Sequence, residues 1–196
     1  MRLFGLVPVL ALMGCAGFAN PTIEIEPEPA ALPLMQWDHR PEAEEWTETT
    51  LTAISTMGSP LLELVPEDID EWCPNYPEAT EPERAAFWAG LLSSLAKHES
   101  TWNPRASGGG GAWIGLVQID PRTARGYGCN AQTVEELKDG SANLSCAVRI
   151  AAVTVPRDGY VGTGRKGLAA DWGPFVSDRK RQDMVDWTSS QPYCQG

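Results

Sequence analysis

Residues 87–121 read FWAGLLSSLAKHESTWNPRASGGGGAWIGLVQIDP. The opening third carries an apolar stripe, with Trp88, Leu91, Leu92 and Leu95 at helical spacing on an amphipathic pattern. Glu99 follows four residues after Leu95 and seven after Leu92, so a helix puts its carboxyl on the same face as the stripe. Burying an ionised carboxylate there costs free energy. Two effects favour the neutral acid instead: burial disfavours the anion, and the negative end of the helix dipole repels it. A carboxyl protonated near neutral pH is what a general acid requires. The competing reading turns Glu99 to solvent or pairs it with Lys97 or Arg105, and the helix pattern alone leaves both open.

The start of this helix is marked upstream. Thr80-Glu81-Pro82-Glu83 is a capping-box pattern, with proline in the first turn, where its missing N–H costs nothing. Downstream, Asn103-Pro104 stops the helix, and residues 101–111 form a loop ending in four glycines. Those glycines permit close approach of backbone to a ligand, or simply make a flexible hairpin tip. Residues 112–119 are a short, mostly apolar segment with Gln118 inside it. A buried amide must find partners, either backbone groups or a polar substrate.

Toward the N-terminus, residues 1–19 have the form of an export signal: Arg2, an apolar run over residues 3–13, then small residues. At about 11 residues the run is too short to span a bilayer. Leu12-Met13-Gly14-Cys15 resembles a bacterial lipobox with Cys15 as the lipidated residue, and Gly17-Phe18-Ala19 resembles an ordinary cleavage site; the lipobox is preferred. The expected location is the periplasm as an outer-membrane-anchored lipoprotein, with a secreted or soluble periplasmic protein as the alternative. Residues 20–45, rich in Pro and Glu, read as a disordered, self-repelling tether reaching about 80 Å if extended. The folded domain is then expected over residues 46–196.

Within that domain, short helices are expected over residues 46–57 and 66–72, and a helical turn at 121–125. A strong helix is expected over 142–153, a loop over 157–167, a helical turn at 168–172 and a last helix over 179–187. The domain therefore reads as mainly α, with at most a small β-hairpin region near residues 113–119.

Composition excludes several classes. Lys+Arg is 15 against Asp+Glu 26, a net charge of -11, which argues against nucleic-acid binding. Two histidines, His39 and His98, and five cysteines offer no metal-ligand spacing, and no phosphate-loop pattern occurs, so no metal or cofactor is expected. A serine hydrolase using His98 is disfavoured, because His98 projects about 100° away from Glu99 on a helix. Either signal cleavage leaves Cys73, Cys129, Cys146 and Cys194, and an exported chain with four cysteines suggests two disulfides. Three pairings exist. The first choice is Cys129–Cys146, closing a local loop worth about 3 kcal/mol in the entropic account, with Cys73–Cys194 tying the domain's ends together.

The residues Glu99-Ser100-x-Trp102-x-Pro104-x-Ala106-Ser107, Gly111-Ala112, and Gly115-Leu116-Val117-Gln118-Ile119-x-Pro121-x-Thr123-Ala124 resemble the soluble lytic transglycosylase (SLT) domain, a lysozyme-like α+β family. Asn143-Leu144 looks like a later element of the same pattern. Two departures stand out. One extra residue sits between Ala112 and Gly115. The family also places a tyrosine near the acid, where this chain has Leu168-Ala169-Ala170-Asp171-Trp172-Gly173. Trp172 takes the aromatic position, but an indole cannot accept a hydrogen bond as a phenol can. Tyr160 is the candidate for supplying the missing hydroxyl.

The resemblance implies a monomeric peptidoglycan lytic transglycosylase with Glu99 as acid then base. Ser100, Gln118, Tyr160 and Trp172 are the substrate-binding candidates. The acid would protonate the β-1,4 bond between N-acetylmuramic acid and N-acetylglucosamine, the substrate's acetamido group would assist, and the 6-hydroxyl would close a 1,6-anhydro ring. Two rivals remain. One is a lysozyme-type hydrolase in which Asp120 or Asp171 positions water, since ordinary glycosidases need a second carboxylate. The other is a glycan-binding module without catalysis.

Overall fold

The computed structural model describes residues 31–195. The signal, both cleavage points, Cys15 and residues 20–30 of the tether lie outside the described residues.

The chain runs through helices α1 (Ala43–Met57), α2 (Ser59–Glu63), α3 (Ile69–Trp72) and α4 (Glu81–Ser100). A two-residue antiparallel pair follows, β1 (Ser107–Gly108) with β2 (Trp113–Ile114). Helices α5 (Pro121–Gly126), α6 (Val134–Leu137) and α7 (Gly140–Asp158) come next. A second antiparallel pair, β3 (Gly162–Thr163) with β4 (Lys166–Gly167), two 3-10 turns, α8 (Asp178–Ser189) and α9 (Pro192–Gln195) complete it. This is the mainly α class, with small hairpins and disulfides, that the sequence predicts. The expected hairpin region is β1–β2. The second pair falls inside the expected loop, with the Asp68 carboxylate accepting from the Val161 N–H at 2.6 Å and the Gly162 N–H at 3.1 Å.

Helix α4 begins as its sequence dictates. The Glu83 carboxylate accepts from the Thr80 N–H at 2.8 Å and the Thr80 hydroxyl at 2.7 Å. The amphipathic expectation is corrected, however: every residue from Ala86 to Ala96 is buried. Helices α1, α2, α8 and α9 all pack on α4, so its serine side is covered too. The Ser93 hydroxyl donates to the Gly90 carbonyl and accepts from the Gln36 N–H. A helix surrounded on all sides is a fixed axis, and this one delivers Glu99 in its last turn.

The tether expectation is corrected from residue 35 onward. Met35 and Trp37 are buried, and Trp37 donates its indole N–H to the Thr47 hydroxyl at 2.9 Å. Residues 35–40 form a strap whose His39 ring meets Trp102 edge-on at 4.5 Å. Two apolar residues among prolines and glutamates suffice to seat it, since burying side chains of this size removes a large apolar area from water.

Disulfides Cys73–Cys194 and Cys129–Cys146 have the expected connectivity. The first joins the connector after α3 to α9. The second holds the segment after α5 against α7. That helix packs along α1 and runs further than its sequence pattern suggests, with Pro156 in its last turn.

Candidate active site

Glu99 sits in the last turn of α4, partly buried, and no hydrogen bond to its carboxyl is found among the described residues. Burial pushes its pKa from 4.5 up to about 7, against the opposing pull of the Lys180 ammonium. Desolvation therefore dominates, and no second carboxylate contributes to the shift. Glu99 is half-buried and forms no ion pair with Lys97 or Arg105 among the described residues, which is the geometry of neither the solvent-turned nor the ion-paired alternative.

The chain leaves Glu99 through a strained turn. Thr101 and Trp102 both lie in the left-handed region, at φ 52° and 54°. Non-glycine residues rarely go there, and each does so at a cost on the order of 1 kcal/mol. The strain is held by packing: the Trp102 indole donates to the Ser93 carbonyl at 2.9 Å, and His39 abuts its ring. Gln118 is the third non-glycine residue with positive φ, at 52°, among the described residues. All three fall within the short segment that follows the acid.

That segment closes on itself. The Gly115 N–H donates to the Ala106 carbonyl at 2.9 Å, and Ile114 and Ile119 exchange backbone bonds. The Gln118 amide donates to the carbonyls of Gly115 at 2.9 Å and Ala106 at 3.3 Å. Of the two readings of this amide, the backbone one accounts for its N–H groups, while the side chain still lines a cleft. Asn143 on α7 clamps the same segment. It accepts from the Val117 N–H and donates to the Ile114 and Leu137 carbonyls, each at 3.0 Å. Gly115, at φ 84°, is required there, because a Cβ would come within 2.3 Å of the Asn143 amide nitrogen and the Leu137 carbonyl oxygen.

Gln118 and Trp172 meet in a cleft of about 70 Å³, shared with Trp113, Ile119, Asp120, Thr123, Ile150 and Asp171. Trp172 is buried and donates its indole N–H to the Val117 carbonyl at 2.7 Å, so it fixes the cleft wall. The 3-10 turn Gly173–Val176, directly after it, packs against α4. Trp113 is 52% exposed at the hairpin and offers an aromatic face to solvent. Of the carboxylates in the cleft, Asp120 caps α5 and pairs with Arg122, whose hydrogen bond holds its pKa below the usual range. Asp171 differs: burial raises its pKa, against a hydrogen bond from the Tyr127 hydroxyl at 3.3 Å.

Glu99, Ser100 and Tyr160 are not among that cleft's walls. The Ser100 hydroxyl donates to the Ala96 carbonyl at 3.2 Å, an ordinary helix back-bond. The expectation for Tyr160 is corrected: its hydroxyl is taken by Glu67, and Lys166 lies over its ring at 4.3 Å. The phenol that reaches the cleft's edge is Tyr127, which sequence reasoning passed over. It also passed over Asp183 and the meeting of Lys180 with the end of α4. Asp183 on α8 accepts from Lys97 at 2.7 Å and His98 at 2.9 Å. Their only sequence signal is their three-residue spacing on one helix.

Comparison with known proteins follows the same lines. The family model of the transglycosylase SLT domain matches residues 78–154, from just before α4 into α7. The fold is similar to solved structures of DslA. A glutamate-to-glutamine variant of DslA superposes with a TM-score of 0.78 at 26% identity, covering 85% of this chain and 100% of the other. Wild-type DslA gives 0.77 at 25% identity over the same shares. No curated protein sequence matches. Residues 78–154 hold Glu99, its strained exit, Gln118 and the Asn143 clamp, while Tyr160 and Trp172 lie beyond them. The residues that bear the resemblance are those the family match spans: over them the chain is similar to the transglycosylase SLT domain.

Proposed function

We propose that the chain is a peptidoglycan lytic transglycosylase in which Glu99 works alone. The observation that carries this reading is a partly buried carboxyl raised by burial to about 7, with no partner carboxylate, at the end of a buried helix within the residues similar to the SLT domain. A value near neutral suits both halves of the reaction. As an acid, Glu99 gives its proton to the glycosidic oxygen between N-acetylmuramic acid and N-acetylglucosamine. Positive charge develops at the anomeric carbon and the substrate's acetamido group stabilises it. As a base, Glu99 then takes the proton of the 6-hydroxyl, which attacks the anomeric carbon and closes the 1,6-anhydro ring. The proton returns to Glu99, so no water is consumed and no second carboxylate is needed.

A mass-spectrometric digest of peptidoglycan tests this. The wild-type chain should release muropeptides lighter by one water than hydrolytic products and lacking a reducing end. Glu99→Gln should release none. A hydrated product would instead favour the hydrolase reading, for which Asp171 is the supporting observation, since it is the cleft carboxyl with a raised pKa. Equal release by wild type and Glu99→Gln would remove Glu99 from the chemistry. Export, lipidation at Cys15 and residence in the periplasm belong to the same proposal and rest on residues 1–19 alone.

A further inference from the structure

Beside the acid, the fold gathers positive charge in a chain whose net charge is -11. A depression of about 340 Å³ is lined by Lys97, His98, Arg179, Lys180 and Asp183. Asp183, the one acid in this lining, is already engaged by Lys97 and His98. Lys180 reaches the His98 carbonyl, at 3.4 Å. Arg179 is exposed, and its guanidinium makes no hydrogen bond or ion pair among the described residues. Neither of these two cations is neutralised by the lining, so the depression is electropositive.

Its position matters as much as its charge. Lys97 and His98 precede Glu99 on the same turn of α4, and Lys180 lies close enough to oppose the effect of burial on the Glu99 carboxyl. The substrate proposed above is itself an anion. Its muramic acid residues carry peptide stems with free carboxylates, attached to the very sugar whose bond is cleaved. A chain this acidic is repelled by such a polymer unless positive charge is concentrated where the two must touch. A guanidinium free of partners is suited to hold a carboxylate through two parallel N–H bonds, and an ammonium adds a point charge beside it.

We propose that this depression is a subsite for a free carboxylate of the peptide stem borne by the sugar at Glu99, with Arg179 and Lys180 as its ligands. The proposal rests on the glycan-cleaving reading and extends it from the sugar to the stem.

The test compares three substrates made from one preparation of glycan strands. One set keeps its stems with free carboxylates, the second has those carboxylates converted to amides, and the third has the stems removed. Wild-type kcat/KM should be about tenfold higher on the free-acid strands than on the amidated ones. Arg179→Gln should reduce that ratio to about twofold. Arg165→Gln, which removes an exposed charge outside the depression, should keep it near tenfold. Thermal unfolding of both variants checks that they fold. A wild-type ratio of one overturns the subsite while leaving the glycan-cleaving reading intact. Equal losses in Arg179→Gln and Arg165→Gln also overturn it, because general charge would then explain the preference. Cleavage of none of the three substrates by wild type overturns the glycan-cleaving reading and the subsite together.

Discussion

Replacing Glu99 with glutamine should stabilise the fold in alkali and leave it nearly unchanged in acid. Burial lifts this carboxyl from 4.5 to about 7, so the folded chain holds the proton more tightly than the unfolded chain does. The stability linked to that proton is complete below about 4.5 and is lost as the pH climbs through about 7. At pH 8.5 the full shift corresponds to about 3 kcal/mol. The group keeps some contact with solvent, which screens it, and about 1–2 kcal/mol is the reasonable expectation. Glutamine has nearly the same shape and never ionises, so Glu99→Gln escapes this penalty. The variant should therefore exceed wild type by about 1–2 kcal/mol at pH 8.5, or roughly 3–6 °C in Tm for a domain of this size. At pH 4 the two should agree within about 0.5 kcal/mol. Urea unfolding followed by circular dichroism at both pH values measures the difference, and other titrating groups cancel because both proteins share them. A difference independent of pH, or a wild type more stable than the variant at pH 8.5, would refute the reasoning. Either result would mean that Glu99 is solvated or ion-paired and not desolvated.

Lys180→Gln removes the positive charge that pulls the Glu99 pKa down. The alkaline limb of the pH–rate profile should move to higher pH, while Lys180→Arg should keep it near the wild-type position; an unmoved limb in the glutamine variant would show that this charge does not act on the acid. Asn143→Ala strips partners from the buried Val117 N–H and the Ile114 and Leu137 carbonyls. The Ile114 carbonyl keeps the Ile119 N–H, so two groups are orphaned; at about 1–3 kcal/mol each, partly relieved by water, they should cost about 2–4 kcal/mol in urea unfolding, and a loss under about 1 kcal/mol would mean that the clamp is not holding the segment.

What the sequence disclosed and what it withheld divide by distance along the chain. The start of α4 was legible because Thr80 and Glu83 meet within a single turn. Glu99 was legible because its spacing from Leu92 and Leu95 is a local period, and the Cys129–Cys146 pair because its loop is short. The strap at Trp37 was hidden by averaging, since two buried side chains hardly alter the composition of a window full of Pro and Glu. Tyr160 misled because a hydroxyl's partner is set by tertiary packing, and Glu67 lies 93 residues away from it. The same distance hid the group that opposes the desolvation of Glu99. Met184, Val185 and Thr188 are buried, so α8 docks by these residues, and the helical period then carries Lys180 and Asp183 to the end of α4. Nothing near Glu99 in sequence announces that meeting. A carboxyl at the end of a core stripe can therefore be placed on a buried face from local spacing, but its pKa is set jointly by the helix it ends and by an element more than 80 residues later. For the same reason, substitutions on α8 should alter the pH at which this chain works while leaving its acid in place.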